Sequence, residues 1–234
     1  MNFLEKADFN WMEMLNFYEP PFRAKLNPSK VWRDLDRYKN DSRGLINYCK
    51  KWRCRVEFRA EPTKAKYWKD YVGIGGEYDP ESRQSILHLY TLDFDNFKFS
   101  DKTWTKFKYR LIQTLMHEII HFMQFHRRDD QWSNYVLPHK TIGNAKKDNE
   151  RRYLSEFDEI QAYAHCVYLD LKNKYPHTEV SKFLSVSKLK EKCPSSTLKY
   201  ILKTFNYDCR NNKAIHKLFQ QILKWDRKYK INSQ

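Results

Sequence analysis

Glycine and cysteine are scarce in this chain of 234 residues, with five of each, and proline contributes only eight. The cysteines, Cys49, Cys54, Cys166, Cys193 and Cys209, are odd in number and scattered, and no two form a C-x-x-C pair. That spacing excludes both a disulfide framework and a cysteine zinc ribbon, and it leaves reduced, mostly buried thiols. No run of eighteen apolar residues is present, so no membrane-spanning helix is expected. The opening "MNFLEKADFNWMEML" carries Glu5, Asp8 and Glu13 where a secretory signal carries lysines, which predicts an intracellular, soluble, cytoplasmic protein. Internal repeats, low-complexity stretches and flexible linkers are missing too, so nothing forces the chain into separate domains.

Acidic charge is also short. Lys and Arg number 44 against 29 Asp and Glu, a net +15. The excess is uneven: residues 182–234 hold 13 basic and 3 acidic side chains, or +10. Such a surface attracts polyanions through counterion release, which makes nucleic acid a candidate partner of the basic C-terminal region. The plainer reading is a solvated, lysine-rich helix face. Hydrophobic residues at 41% and aromatics at 16% exclude a disordered chain, and the length suffices for one core with an appended helical lobe.

Along the chain, a short N-terminal helix gives way to an extended arm at Pro20 and Pro21, which cannot continue it. "SRGLINYCKKW" (42–52) reads as helix and "CRVEFRA" (54–60) alternates like a strand. "KYWKDYVGIGGEY", broken by Gly73, Gly75 and Gly76, and "RQSILHLYTLDF" predict two more strands, joined as a hairpin through "GEYDPESRQ". A long helix follows over 103–126. The 26 residues from Arg127 to Arg152 are polar, include Pro138 and Gly143, and suit a lid loop. Helix resumes at "SEFDEIQAYAHCVYLDLKNK", with Ser155 as N-cap and Asp158 completing a capping box, and Pro176 ends it. Two or three basic amphipathic helices, separated near Pro194 and Asn211, complete the chain.

Within the long helix, "LMHEIIHFMQ" places His117, Glu118 and His121 among Leu115, Ile119, Ile120 and Phe122. Residues four apart lie about 40° apart on a helix, one turn along, so two imidazoles there can bind one metal. Glu118 stands about 100° round, where it reaches a water on that metal rather than the metal itself. This is the H-E-x-x-H arrangement of two zinc ligands with a general base between them. A catalytic zinc needs a third protein ligand. The metzincin continuation requires glycine at 124 and histidine at 127, whereas the chain has Gln124 and Arg127. His126 points too far round. Glu159, near a helix N-terminus and one turn before small Ala162, is the first candidate; His139 in the polar loop is the second, with Glu156, Asp158 and His165 behind them.

"HEIIH" followed by "YLSEFDEIQAYA" resembles the gluzincin-type zinc metallopeptidases, in particular small zincin-like proteins of bacteriophages and some bacteria. The resemblance covers roughly residues 85–172. It implies His117, His121 and Glu159 as ligands of one Zn2+, Glu118 as general base, and a peptide or protein substrate laid along "SILHLYTL" as an edge strand. Larger gluzincins place an aspartate four residues after the ligand glutamate, where this chain has Tyr163. The donor to the developing oxyanion is Tyr153, Tyr163, His165 or His126. SprT-like proteases are a weaker resemblance: they join H-E-x-x-H to a DNA-binding region, but here His139 lacks the following glycine of their ligand.

The resulting expectation is an α+β, zincin-like fold. Its small three- or four-stranded sheet packs on an active-site helix and a ligand helix, with extra N- and C-terminal helices. Residues 1–178 form the peptidase core and 179–234 a basic helical region packed on it. The competing expectation is a nucleic-acid- or host-protein-binding module whose metal site is structural or idle.

Overall fold

In the computed structural model the described residues are 28–51, 54–59, 73–79, 82, 84–90, 99–126, 144–175, 177–184, 189 and 192–231. The expected N-terminal helix and arm, the first half of the glycine-broken strand, His139 and the candidate lid up to residue 143 lie outside them. The described elements mix helices with one small sheet, an α+β composition. Backbone proximity divides the chain into two compact units, one of residues 10–130 and one of residues 131–234 with 1–9.

In the first unit, α1 (Pro28–Leu35) begins at a proline, whose fixed φ and missing N–H suit the first helical position. Helix α2 (Ser42–Lys50) is capped by Asp41, whose carboxylate accepts from Gly44 N at 2.8 Å. Strands β1 (Cys54–Arg59), β2 (Gly73–Asp79) and β3 (Gln84–Tyr90) form a sheet in the order β1-β3-β2. β3 pairs in parallel with β1, with Val56 opposite Leu87, and antiparallel with β2, with Gly76 opposite Leu87.

Here the structure corrects one expectation. β3 is the central strand, hydrogen-bonded on both sides, and offers no free edge to a peptide. The reason is its composition: Ser85 through Leu89 are all buried, the near-continuous burial of a strand covered on both faces. β2, with three glycines and an exposed Glu77, takes an outer position among the described strands.

Helix α3 (Asp101–His126) starts at Ser100, whose hydroxyl accepts from Thr103 N, and packs across β2 and β3. At its first turns Phe99, Trp104 and Phe107 cluster with ring centroids 4.8–5.3 Å apart. Lys108 is buried there, 4.1 Å over the Trp32 ring and 2.6 Å from Asp36 Oδ1, which also accepts from Trp104 Nε1. The ammonium therefore keeps both a counter-charge and an aromatic face.

The second unit is helical among its described residues. It comprises α4 (Asn144–Ser155), α5 (Phe157–Lys174), a short 3-10 turn at Val180–Phe183, α6 (Ser196–Thr204) and α7 (Lys213–Ile231). Two expectations change. Residues 144–152, read as loop from their polarity, are helical, because a charged surface helix needs no apolar stripe when it has local partners: Asp148 pairs with Arg151, and Arg151 donates to Thr204 O. Ser155 does not cap α5. It ends α4, its hydroxyl donating to Arg151 O, and Glu156 holds the N-cap position without a side-chain cap bond.

Helix α5 is the hub of this unit, flanked by α4, α6 and, over much of its length, α7. The buried apolar side chains of this unit include Leu154, Ile160, Val167, Leu171, Leu198, Leu202, Ile215, Leu218 and Ile222. Ser195 caps α6 by accepting from Leu198 N and donates to Asp170 of α5. Lys172 of α5 and Asp226 of α7 lie 3.4 Å apart, both largely buried. None of the described helices is long and apolar enough to cross a membrane.

Candidate metal centre

Burying ionisable groups in the middle of α3 is costly unless each finds a partner. His117 is 8% and Glu118 3% exposed, among Leu111, Leu115, Met116, Ile119 and Ile120, all buried. The i, i+4 spacing brings the Nε2 atoms of His117 and His121 to 3.1 Å, with ring planes at 76°. The other nitrogen of His121 is fixed: Nδ1 lies 2.9 Å from Gln124 Oε1. An amide oxygen only accepts, so Nδ1 carries the proton and Nε2 presents its lone pair toward His117.

Glu159 is fully buried in the first turn of α5, where the helix dipole favours negative charge. The ligating atoms of His117, His121 and Glu159 all lie within 4.8 Å of one another, and this buried group could hold a metal ion. The donor set fits zinc. Two nitrogens bound at about 2.0–2.1 Å in tetrahedral geometry stand roughly 3.3 Å apart, and the observed 3.1 Å is close to that. Imidazole with carboxylate is also a zinc combination rather than the all-oxygen set of calcium or magnesium.

Tyr163 follows Glu159 by four residues, one turn along α5. Burial, followed by the nearby charge of Glu159 and by Tyr200, holds its phenol well above the ordinary range, against the opposing effect of a hydrogen bond from Tyr153. The rings of Tyr153 and Tyr163 meet edge to face, centroids 6.5 Å apart. The two phenols thus stand together, and Tyr163, near the charge of Glu159, stays protonated. His165 goes elsewhere. Six residues after Glu159 it lies about 240° round the helix, and its ring packs edge-on against Trp225 of α7, centroids 4.7 Å apart.

Three residues near the site were not read from sequence. Gln124 was noted only as the wrong residue for a metzincin, although its place one turn after His121 was the available signal. Tyr200 of α6, whose hydroxyl donates to Glu150, affects Tyr163 electrostatically, and its basic surroundings gave no hint of this. Gly76 reads in the sequence only as a strand breaker. Of the other ligand candidates, Asp158 is buried and Glu156 half-buried, and neither joins the ligand group; the side chain of His126 and all of His139 lie outside the described residues.

Compared with protein-family models, with curated proteins and with solved structures, the chain has no match.

Proposed function

We propose that this protein is a zinc-dependent endopeptidase of gluzincin type, with a zincin-like arrangement of sheet, active-site helix and ligand helix. One observation carries the reading: His117, His121 and Glu159 converge as a possible ligand set, and the buried carboxylate of Glu118 is next to the first of them in sequence. Zinc, when bound, would lower the pKa of a water and polarise the scissile carbonyl. Gln124 orients the His121 ring through Nδ1, so that Nε2 faces His117 and the ligand group. Glu118 takes a proton from the attacking water and returns it to the leaving amine. Tyr163 or Tyr153 donates to the oxygen of the scissile carbonyl as its charge develops. An extended substrate pairs more readily with outer strand β2 than with β3.

The test combines metal analysis with peptide hydrolysis. Wild type should bind about one zinc per chain and cleave unstructured protein. Glu118→Gln should lose about 10³-fold in kcat while keeping its zinc, and should trap the natural substrate. Zinc bound without hydrolysis would remove the peptidase reading.

A second reading concerns partners. The exposed residues of α7 include Lys213, Lys217, Lys224 and Arg227, and its only acid, Asp226, is buried. That one-sided surface favours nucleic-acid binding, either as an added function of a SprT-like enzyme or as the main function of a module whose metal is structural. A salt-sensitive DNA shift that survives Glu118→Ala and weakens on Lys217→Glu with Lys224→Glu supports it; no shift at low salt ends it.

A further inference from the structure

The glycines of β2 do different things. Gly75 would place a side chain 3.2 Å from the ring of Tyr90. Gly76, one residue on and therefore facing the other side of the sheet, would place a Cβ 2.6 Å from Glu118 Oε1, 2.9 Å from Glu118 Cγ and 2.6 Å from Thr114 Cγ2. The carboxylate of Glu118 thus occupies the space that any other residue at position 76 would fill.

We propose that Gly76 is the positioning residue for Glu118, its bare backbone forming the seat that fixes where the proposed base holds its carboxylate. Even one methyl group at 76 leaves little escape. Thr114 is β-branched, with few χ1 rotamers open to it in a helix, and Glu118 is buried. The carboxylate must move or α3 must lift from β2. Displacement of a reacting group by about 1 Å costs on the order of 100-fold in rate. The kinetic consequence rests on the peptidase reading; the seat itself does not.

The experiment therefore has two arms. In the first, Gly76→Ala should lower kcat between about tenfold and 100-fold, leave KM within about twofold and retain zinc, while Gly75→Ala serves as the control for lost strand flexibility. Unchanged kcat in Gly76→Ala, or an equal loss in Gly75→Ala, would overturn the proposal. In the second arm, the fall in Tm caused by Gly76→Ala is measured in wild type and in a Glu118→Ala, Thr114→Ser background, where both obstructing groups are gone. The fall should shrink at least by half there; an undiminished fall would refute the seat. If wild type hydrolyses nothing, the peptidase reading fails and the second arm still decides the role of Gly76.

Discussion

Helices α3 and α5 each bury a histidine, yet the two surroundings have little in common. His117 sits among apolar neighbours with its Nε2 3.1 Å from a second imidazole, and it belongs to a ligand-like group with Glu159. His165 is buried still more deeply, but its ring rests on Trp225. Burial is therefore a poor guide to function. What distinguishes the two rings is that His117 shares a possible ligand group with His121 and Glu159, whereas His165 joins no such group among the described residues.

The sharpest way to break this contrast is to remove each ring. His117→Ala should reduce bound zinc from about one per chain to nearly none, measured by atomic absorption after dialysis, and abolish hydrolysis. His165→Ala should retain zinc and instead cost about 2–4 kcal/mol of stability through the cavity against Trp225, read from denaturant midpoints. Equal zinc loss in both variants would erase the distinction.

A smaller effect should follow at Gln124. Replacing it with alanine removes this contact to His121 Nδ1 and should weaken zinc binding about tenfold in competition with a chelator, without changing stoichiometry. Unchanged affinity would show that another group orients the ring.

The smallest effect belongs to α5 alone. Burial, reinforced by the charge of Asp226, holds the phenol of Tyr168 far above its ordinary range. The folded protein keeps that proton after the unfolded chain has lost it, so the associated stability is complete below pH about 10 and declines as pH rises further. Each such tyrosine contributes a slope of about 1.4 kcal/mol per pH unit. Tyr168→Phe should flatten the alkaline limb of stability against pH by that amount, and an unaltered limb would contradict it.

Strong local periodicity made much of the architecture legible. The long helix starts two residues before the expected position, the strands at 54–59 and 84–90 lie within their expected spans, and the hairpin partner begins at Gly73. The histidine pair of the possible ligand group was legible because i, i+4 side chains converge by helix geometry, whereas the approach of Glu159 depends on a second helix. What was not legible depended on partners distant in sequence. Which strand is central follows from coverage of both faces, and alternation within "SILHLYT" describes only one of them. Residues 144–152 looked like loop because their helical support comes from Thr204, and Ser155 looked like a cap until α4 absorbed it. Gly76 is meaningful only once the carboxylate opposite it is seen.

The pairing of Lys172 with Asp226 makes the last helix more than a charged appendage. A truncated chain ending at residue 212 would take away the carboxylate partner of Lys172, leaving its ammonium only the carbonyl of Thr178, and would uncover the ring of His165. Deletions at this end would thus be felt in α5, the helix that α7 packs along.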